Sequence, residues 1–135
     1  MKMQNEYSTK DPVIEINANS FKQINGKFYL KHKKFKNNFS LVKFYAPWCP
    51  HCKNMVDVMN AMAEALHEYN FKIFAVNCTK TKNGELAKKM GITGFPTLYL
   101  SDNKGLLEEY VDSNDPNKIL TKICKFTNGK ACKKN

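Results

Sequence analysis

Apolar residues recur along this chain in two rhythms, one of strands and one of helices. Residues 1–11 carry neither and are mostly polar, which predicts a flexible N-terminal segment. Val13, Ile14 and Ile16 then mark a first short strand. Ser20 stands where an N-cap would, with Phe21 and Ile24 following at helical spacing, so a short helix is expected there. Residues 25–38 are the least legible: Phe28, Tyr29 and Phe35 mix with the run Lys31-His32-Lys33-Lys34-Phe35-Lys36, and Asn25-Gly26 marks a turn. Leu41 to Ala46 is a nearly continuous apolar run closed by Pro47, the pattern of a central strand buried on both faces.

From Pro50 the period changes. Met55, Met59, Met62, Leu66 and Tyr69 recur at spacings of four, three, four and three, one face of a long helix, and such a methionine stripe reads as core. Phe71 to Val76 reads as a second buried strand, and Asn83 to Met90 as a short helix that Gly91 ends. Thr97 to Leu100 and Leu106 to Val111 flank Asp102-Asn103-Lys104-Gly105, which predicts a hairpin. A last helix begins near Asp115-Pro116 and turns Ile119, Leu120, Ile123 and Phe126 inward. This order predicts an α/β domain over residues 12–126: a central mixed sheet with helices on both faces, then a basic tail over residues 127–135.

A chain of 135 residues with 42% hydrophobic residues suits one such domain, expected as a monomer. The formal charge of +10 changes the picture little. All 22 basic residues are lysine, and recognition of phosphate and base edges leans on arginine, so the charge reads as a solvated face and not as a nucleic-acid surface. No stretch approaches the roughly 20 apolar residues of a membrane span, and the N-terminus shows no apolar core of a secretory signal. The expectation is a soluble, cytoplasmic protein. A lysine- and asparagine-rich, arginine-free composition also fits an AT-rich genome, so a viral factory or virion is included, and a secretory compartment applies if a signal has been removed.

Five cysteines are too few for a disulfide-dense scaffold, and two of them form Cys49-Pro50-His51-Cys52 at a strand-to-helix transition. Thiols three residues apart at a helix start can close a small ring, one attacking and the other resolving. The unpaired N–H groups of the helix N-terminus favour a thiolate at Cys49, below the roughly 8.5 of a free cysteine. Pro50 suits the first helical position, and His51 favours the thiolate and with it the reduced form, which makes the disulfide a stronger oxidant. A metal reading of the same motif lacks a second pair of matching spacing, since Cys124 and Cys132 are separated by seven residues. No metal is expected, and no cofactor beyond the redox-active disulfide Cys49-Cys52. Cys124 and Cys132 can pair with each other, with Gly129 turning the chain back, or Cys132 can be a reactive thiol between lysines.

Phe44-Tyr45-Ala46-Pro47-Trp48-Cys49-Pro50-His51-Cys52-Lys53, followed by Gly91-Ile92-Thr93-Gly94-Phe95-Pro96-Thr97, resembles the two signatures of the thioredoxin superfamily. The similarity is greatest to the catalytic domains of protein disulfide isomerases and covers roughly Val13 to Phe126. It implies a thioredoxin fold, Cys49 as the attacking and Cys52 as the resolving cysteine, and a cis peptide bond at Pro96. It also implies that Trp48, Phe95 and Pro96 hold an extended protein substrate, and that a redox partner protein resets the site. At Cys78 it implies an unreactive buried thiol.

The sequence departs from that pattern in three places. Where the family commonly carries a buried acid six residues before the first cysteine, this chain has Lys43, and Ala75 stands where many isomerases carry the facing lysine. Two readings of Lys43 compete: a neutral, desolvated base serving proton traffic at Cys52, or a side chain that snorkels to solvent with no catalytic part; snorkelling is preferred. The arginine that assists reoxidation in isomerases has no counterpart. Pro50-His51 is similar to the dipeptide of bacterial periplasmic oxidases, which tilts the expectation toward an oxidase or isomerase acting on protein substrates. The alternatives are a thioredoxin-like reductase and a non-catalytic, redox-regulated binding module that would work without Cys49.

Overall fold

Every residue of Ser40–Tyr45 is buried, because this strand lies at the centre of a sheet covered on both faces. The computed structural model describes residues 4–132. Its strands are β1 (Ile14–Ile16), β2 (Phe21–Ile24), β3 (Lys27–Leu30), β4 (Ser40–Tyr45), β5 (Lys72–Asn77), β6 (Thr97–Ser101) and β7 (Leu107–Tyr110). The helices are α1 (Pro50–Asn54), α2 (Val56–Leu66), α3 (Thr81–Lys89) and α4 (Pro116–Phe126). Five strands form one sheet in the order β1-β5-β4-β6-β7. The β1–β5 and β4–β5 pairs are parallel, while β4–β6 and β6–β7 are antiparallel, giving the expected mixed sheet.

Alternation along the strands divides the core. Leu41, Tyr45, Ile73, Ala75, Leu98 and Leu100 pack with Met59, Met62 and Leu66 of α2 and with Ile119 and Ile123 of α4. Val42, Phe44, Phe74, Val76 and Tyr99 face the other way, onto the β2–β3 hairpin, Leu86 of α3 and Met90 just beyond it. Lys43 points to the first of these faces, into the layer that also holds Cys52. The hairpin at Asp102 to Gly105 forms as expected, with Gly105 at φ +91° and its carbonyl taking a hydrogen bond from Leu30 N. A Cβ on Gly105 would lie 2.4 Å from the Leu30 carbonyl oxygen, so this turn admits no side chain.

Three expectations need correction. The short helix after Ser20 is instead the β2–β3 hairpin: Ser20 ends a 3-10 turn capped by Asn17, and Asn25 and Gly26 both take positive φ, the two-residue turn that joins strands. The i, i+3 spacing of Phe21 and Ile24 was a coincidence that the turn chemistry overrules. The helix from Pro50 is broken at Met55. The Cys52 carbonyl there receives the Lys43 ammonium at 2.8 Å as well as Met55 N at 3.2 Å, and a side chain entering the helical ladder is a usual cause of a break.

The N-terminal segment is not loose over its described part: Asn5 Oδ1 accepts from Asn77 Nδ2, Glu6 N donates to the Tyr45 hydroxyl, and Tyr7 is buried. Residues 1–3 of that expectation lie outside the described residues. The tail after residue 126 likewise folds back, with Ala131 buried, Ala131 N on Thr127 Oγ1 at 3.0 Å and Gly129 at φ +83°. Residues 133–135 are outside the description.

A disulfide between Cys124 and Cys132 closes that fold-back over a sequence separation of eight. Opening it returns loop-closure entropy to the unfolded chain, so Cys132→Ser should cost about 2–3 kcal/mol, read as a lower urea midpoint. An unchanged midpoint would mean that the bond clips nothing. No helix among the described residues is long and apolar enough to cross a membrane.

Candidate active site

The end of β4 delivers the site. Tyr45 closes the strand, Ala46 and Pro47 turn the chain, and the Cys49 N–H returns to the Ala46 carbonyl at 3.0 Å. Cys49 is thereby the N-cap of α1, and Pro50 takes the first helical position, where its missing N–H costs nothing. Cys52 lies one turn in, and its backbone N–H donates to Cys49 Sγ at 3.3 Å. Both cysteines are free thiols. Cys49 keeps 4% of its surface exposed and Cys52 none, so the first is the sulfur a substrate can reach.

The second loop meets the first at this sulfur. The Phe95–Pro96 peptide bond is cis, and the Phe95 carbonyl accepts the Cys49 thiol at 3.4 Å. Trp48, 55% exposed, meets the half-buried Phe95 edge-on with ring centroids 6.1 Å apart. Pro50 and His51 are exposed on the outer side of α1. The structure therefore brings Trp48, Phe95 and Pro96 together around Cys49, with an apolar, partly exposed surface beside the more accessible of the two sulfurs.

Behind the pair the surroundings differ sharply. Burial pushes the Cys52 thiol up to about 12, with its hydrogen bond to Cys49 acting in the same direction and the Lys43 charge opposing both. Lys43 does not snorkel, and this overturns the preferred reading of it: the side chain is fully buried and donates to Glu6 Oε2 at 3.0 Å, Tyr7 Oη at 2.7 Å and the Cys52 carbonyl at 2.8 Å. A strand buried on both faces leaves a four-carbon stem no path to water, so the ammonium must find its acceptors inside. Ala75 does pair with Lys43 across the sheet, in register with the alignment that placed it there.

Sequence reasoning missed Glu6, Tyr7 and Glu15 altogether. Glu15 on β1 accepts the Tyr45 hydroxyl, which in turn takes Glu6 N, so the wall behind the cysteines is a connected polar layer. Burial lifts the Glu15 carboxyl to about 7 and leaves its Oε2 without a partner. The available signal was a lysine inside an apolar run, which demands a buried acid somewhere in the fold.

The remaining cysteines lie apart from this chemistry. Cys78 is half-buried, its thiol also pushed up to about 12 by burial and bonded to the Val76 carbonyl, while Cys124 and Cys132 are joined to each other. Among the described residues no group of three or more His, Cys, Asp or Glu is arranged to hold a metal ion.

Comparison with known proteins converges on the same fold. The Thioredoxin family model matches residues 12–125. Protein disulfide-isomerase MPD1 of Saccharomyces cerevisiae is 37% identical over 99 residues, which are 73% of this chain and 28% of the relative. Protein disulfide-isomerase A5 of Mus musculus is 38% identical over 76 residues, 56% of this chain and 15% of the relative. This chain thus spans well under a third of the curated relatives it matches. Among solved structures, the Trx4 domain of ERdj5 superposes with a TM-score of 0.65 at 21% identity, covering 86% of this chain and 96% of that one, a likeness of fold. With the family model covering nearly all of the sheet and helices and both loops that meet at Cys49, the chain belongs to the thioredoxin family.

Proposed function

We propose that this chain is a thiol-disulfide oxidoreductase acting on protein substrates, with Cys49 and Cys52 as its redox couple and net disulfide donation or isomerisation as its direction. The observation that carries this reading is the placement of Cys49: capping a helix, in contact with the Phe95 carbonyl, and flanked by Trp48 and Phe95. The relatives named as protein disulfide isomerases support the same reading.

In the reducing direction the Cys49 thiolate attacks one sulfur of a substrate disulfide. A Cys49–substrate bond forms, and the other substrate sulfur leaves as a thiolate that takes a proton from water. Cys52 then loses its proton and attacks Cys49 Sγ, closing the Cys49–Cys52 disulfide as the second substrate sulfur departs. Two electrons and two protons have passed to the substrate. The same steps run backward donate a disulfide, and a partner protein that exchanges thiols with Cys49 resets the couple.

Pro50 and His51 support the donating direction, since an exposed imidazole beside the helix N-terminus favours the reduced pair. The Cys124–Cys132 bond supports action in an oxidising setting, whether a secretory compartment or a dedicated oxidation pathway of a virus. The test is the reduction potential of the couple, from trapped thiols in graded glutathione buffers. A value of about −120 to −180 mV is expected for a disulfide donor or isomerase; a value near about −270 mV would make the protein a reductase.

A further inference from the structure

A lysine at the centre of a buried strand has two options: keep its proton and find internal acceptors, or lose it. Lys43 has found three acceptors, one for each N–H of an ammonium, at Glu6 Oε2, Tyr7 Oη and the Cys52 carbonyl. Its Nζ also lies 4.9 Å from the Tyr7 ring centroid and 5.4 Å from that of Tyr45, distances at which an aromatic face attracts a cation. Two of the three acceptors come from the N-terminal segment. Residues 12–125 are those that match the family model, so Glu6 and Tyr7 lie before the matched stretch.

As a device for stability this pair is a poor one. A buried ion pair recovers little of the cost of removing both charges from water, and an apolar side chain of similar volume does as well or better. Glu6 Oε1 has no partner, which adds to that cost. What the pair supplies is a fixed charge against the back of α1, bonded to the backbone of the resolving cysteine itself.

We propose that Glu6 is a positioning residue for disulfide exchange: its carboxylate keeps Lys43 charged behind Cys52, and that charge favours the Cys52 thiolate which resolves the mixed disulfide. In that step the Cys52 S–H bond breaks and the proton passes to water. The sulfur pair then forms the bond to Cys49 Sγ while the Cys49–substrate bond breaks and the substrate sulfur leaves with its electrons. Lys43 stabilises the anion between those two events. Without Glu6, only the nearby thiols oppose the pull of burial on Lys43, so the ammonium loses its main support and the charge behind Cys52 weakens. Burial already pulls Lys43 below the usual lysine range, and Glu6 is the main influence holding it up.

The charged and titratable groups facing Lys43 are Glu6 and Tyr7 from the N-terminal segment, Tyr45 from its own strand, and Cys49 and Cys52 from α1. Glu15 acts at one remove through Tyr45, and Lys53 acts on Glu6. The inference rests on the redox reading of Cys49 and Cys52 given above, and its test is chosen to be separable from that reading. In the 135-residue chain, reduced protein is mixed with excess oxidised glutathione, and the concentration-independent closure of the Cys49–Cys52 disulfide that follows attack by Cys49 is timed against pH by acid quench and mass spectrometry, with and without Glu6→Gln.

Glu6→Gln should slow that closure about tenfold at neutral pH, the loss expected if Cys52 gives up its proton about one pH unit less readily. Glu6→Asp, which keeps the charge, should stay within about threefold of the parent, an outcome that lost packing alone would not give. An unchanged profile in folded Glu6→Gln protein would overturn the proposal. Should Glu6→Gln fail to fold, Lys43→Met fills the same space without charge and must slow closure of the Cys49–Cys52 disulfide in the same way; full speed there overturns it equally. Because oxidised glutathione stands in for a substrate protein, a wild-type chain that exchanges no disulfides with proteins would refute the proposed function while leaving this result to stand or fall on its own.

Discussion

Cys49→Ser should lower disulfide exchange with a reduced, unfolded protein by about three orders of magnitude or more, while the melting temperature changes little. Serine keeps the helix cap, because its Oγ can accept the Cys52 N–H that Cys49 Sγ now takes at 3.3 Å, so the fold survives. What is lost is the sulfur: an alkoxide is not accessible at neutral pH, and no other thiol takes its place beside the Trp48 and Phe95 rings. Cys78 is high in its ionisation and turned toward the Val76 carbonyl, and the Cys124–Cys132 pair is already closed. Activity retained in Cys49→Ser, measured by the rate at which substrate disulfides form, would instead identify a binding module.

Glu15→Gln should stabilise the protein at pH 8 by up to about 3 kcal/mol and leave it unchanged near pH 4.5, because a pKa unit corresponds to about 1.4 kcal/mol. The Glu15 carboxyl is raised to about 7 from the ordinary 4.5, chiefly by burial, with the Tyr45 hydroxyl bond pulling it partly back. A carboxyl raised in the folded state holds its proton more tightly there than in the unfolded chain. Its contribution to stability is therefore fully present below about pH 4.5 and is lost as pH rises through about 7. Above that, an ionised carboxylate sits buried with Oε2 unpartnered. Glutamine accepts the Tyr45 hydroxyl without ionising, so the penalty disappears only where glutamate would be charged. Urea midpoints of parent and variant at the two pH values measure this, and a difference of equal size at both would show that Glu15 does not titrate in the fold.

How much of this could be read in the sequence follows from how each part is held. β4 was legible because burial on both faces leaves an unbroken apolar run, and α2 and α4 because their inward residues repeat at helical spacing. Cys49 and Cys52 were legible because the chemistry needs two thiols one helical turn apart, and Phe95-Pro96 through its resemblance to a known loop. The β2–β3 hairpin was missed because Phe21 and Ile24 happen to fall at i, i+3, and Asn25-Gly26 outweighs them only once strands flank it. The N-terminal segment was illegible for a different reason. It docks through individual side chains, Asn5 on Asn77, Glu6 on Lys43 and Tyr7 on the rings and ammonium behind the site, and such docking leaves no periodic trace. Lys43 was the one residue whose misfit was visible: a lysine in a doubly buried strand needs a buried acceptor, but the sequence does not say that Glu6 supplies it.

Trapping the exchange intermediate tests the central claim most directly. Cys52→Ser protein, unable to resolve, is mixed with a protein substrate and quenched with acid, and the covalent adduct is mapped by mass spectrometry. The account predicts a substrate disulfide on Cys49 that accumulates in Cys52→Ser and is absent when Cys49 is also replaced. An adduct on Cys78 or Cys132, or none on Cys49 under conditions where the wild-type chain exchanges disulfides, would contradict it.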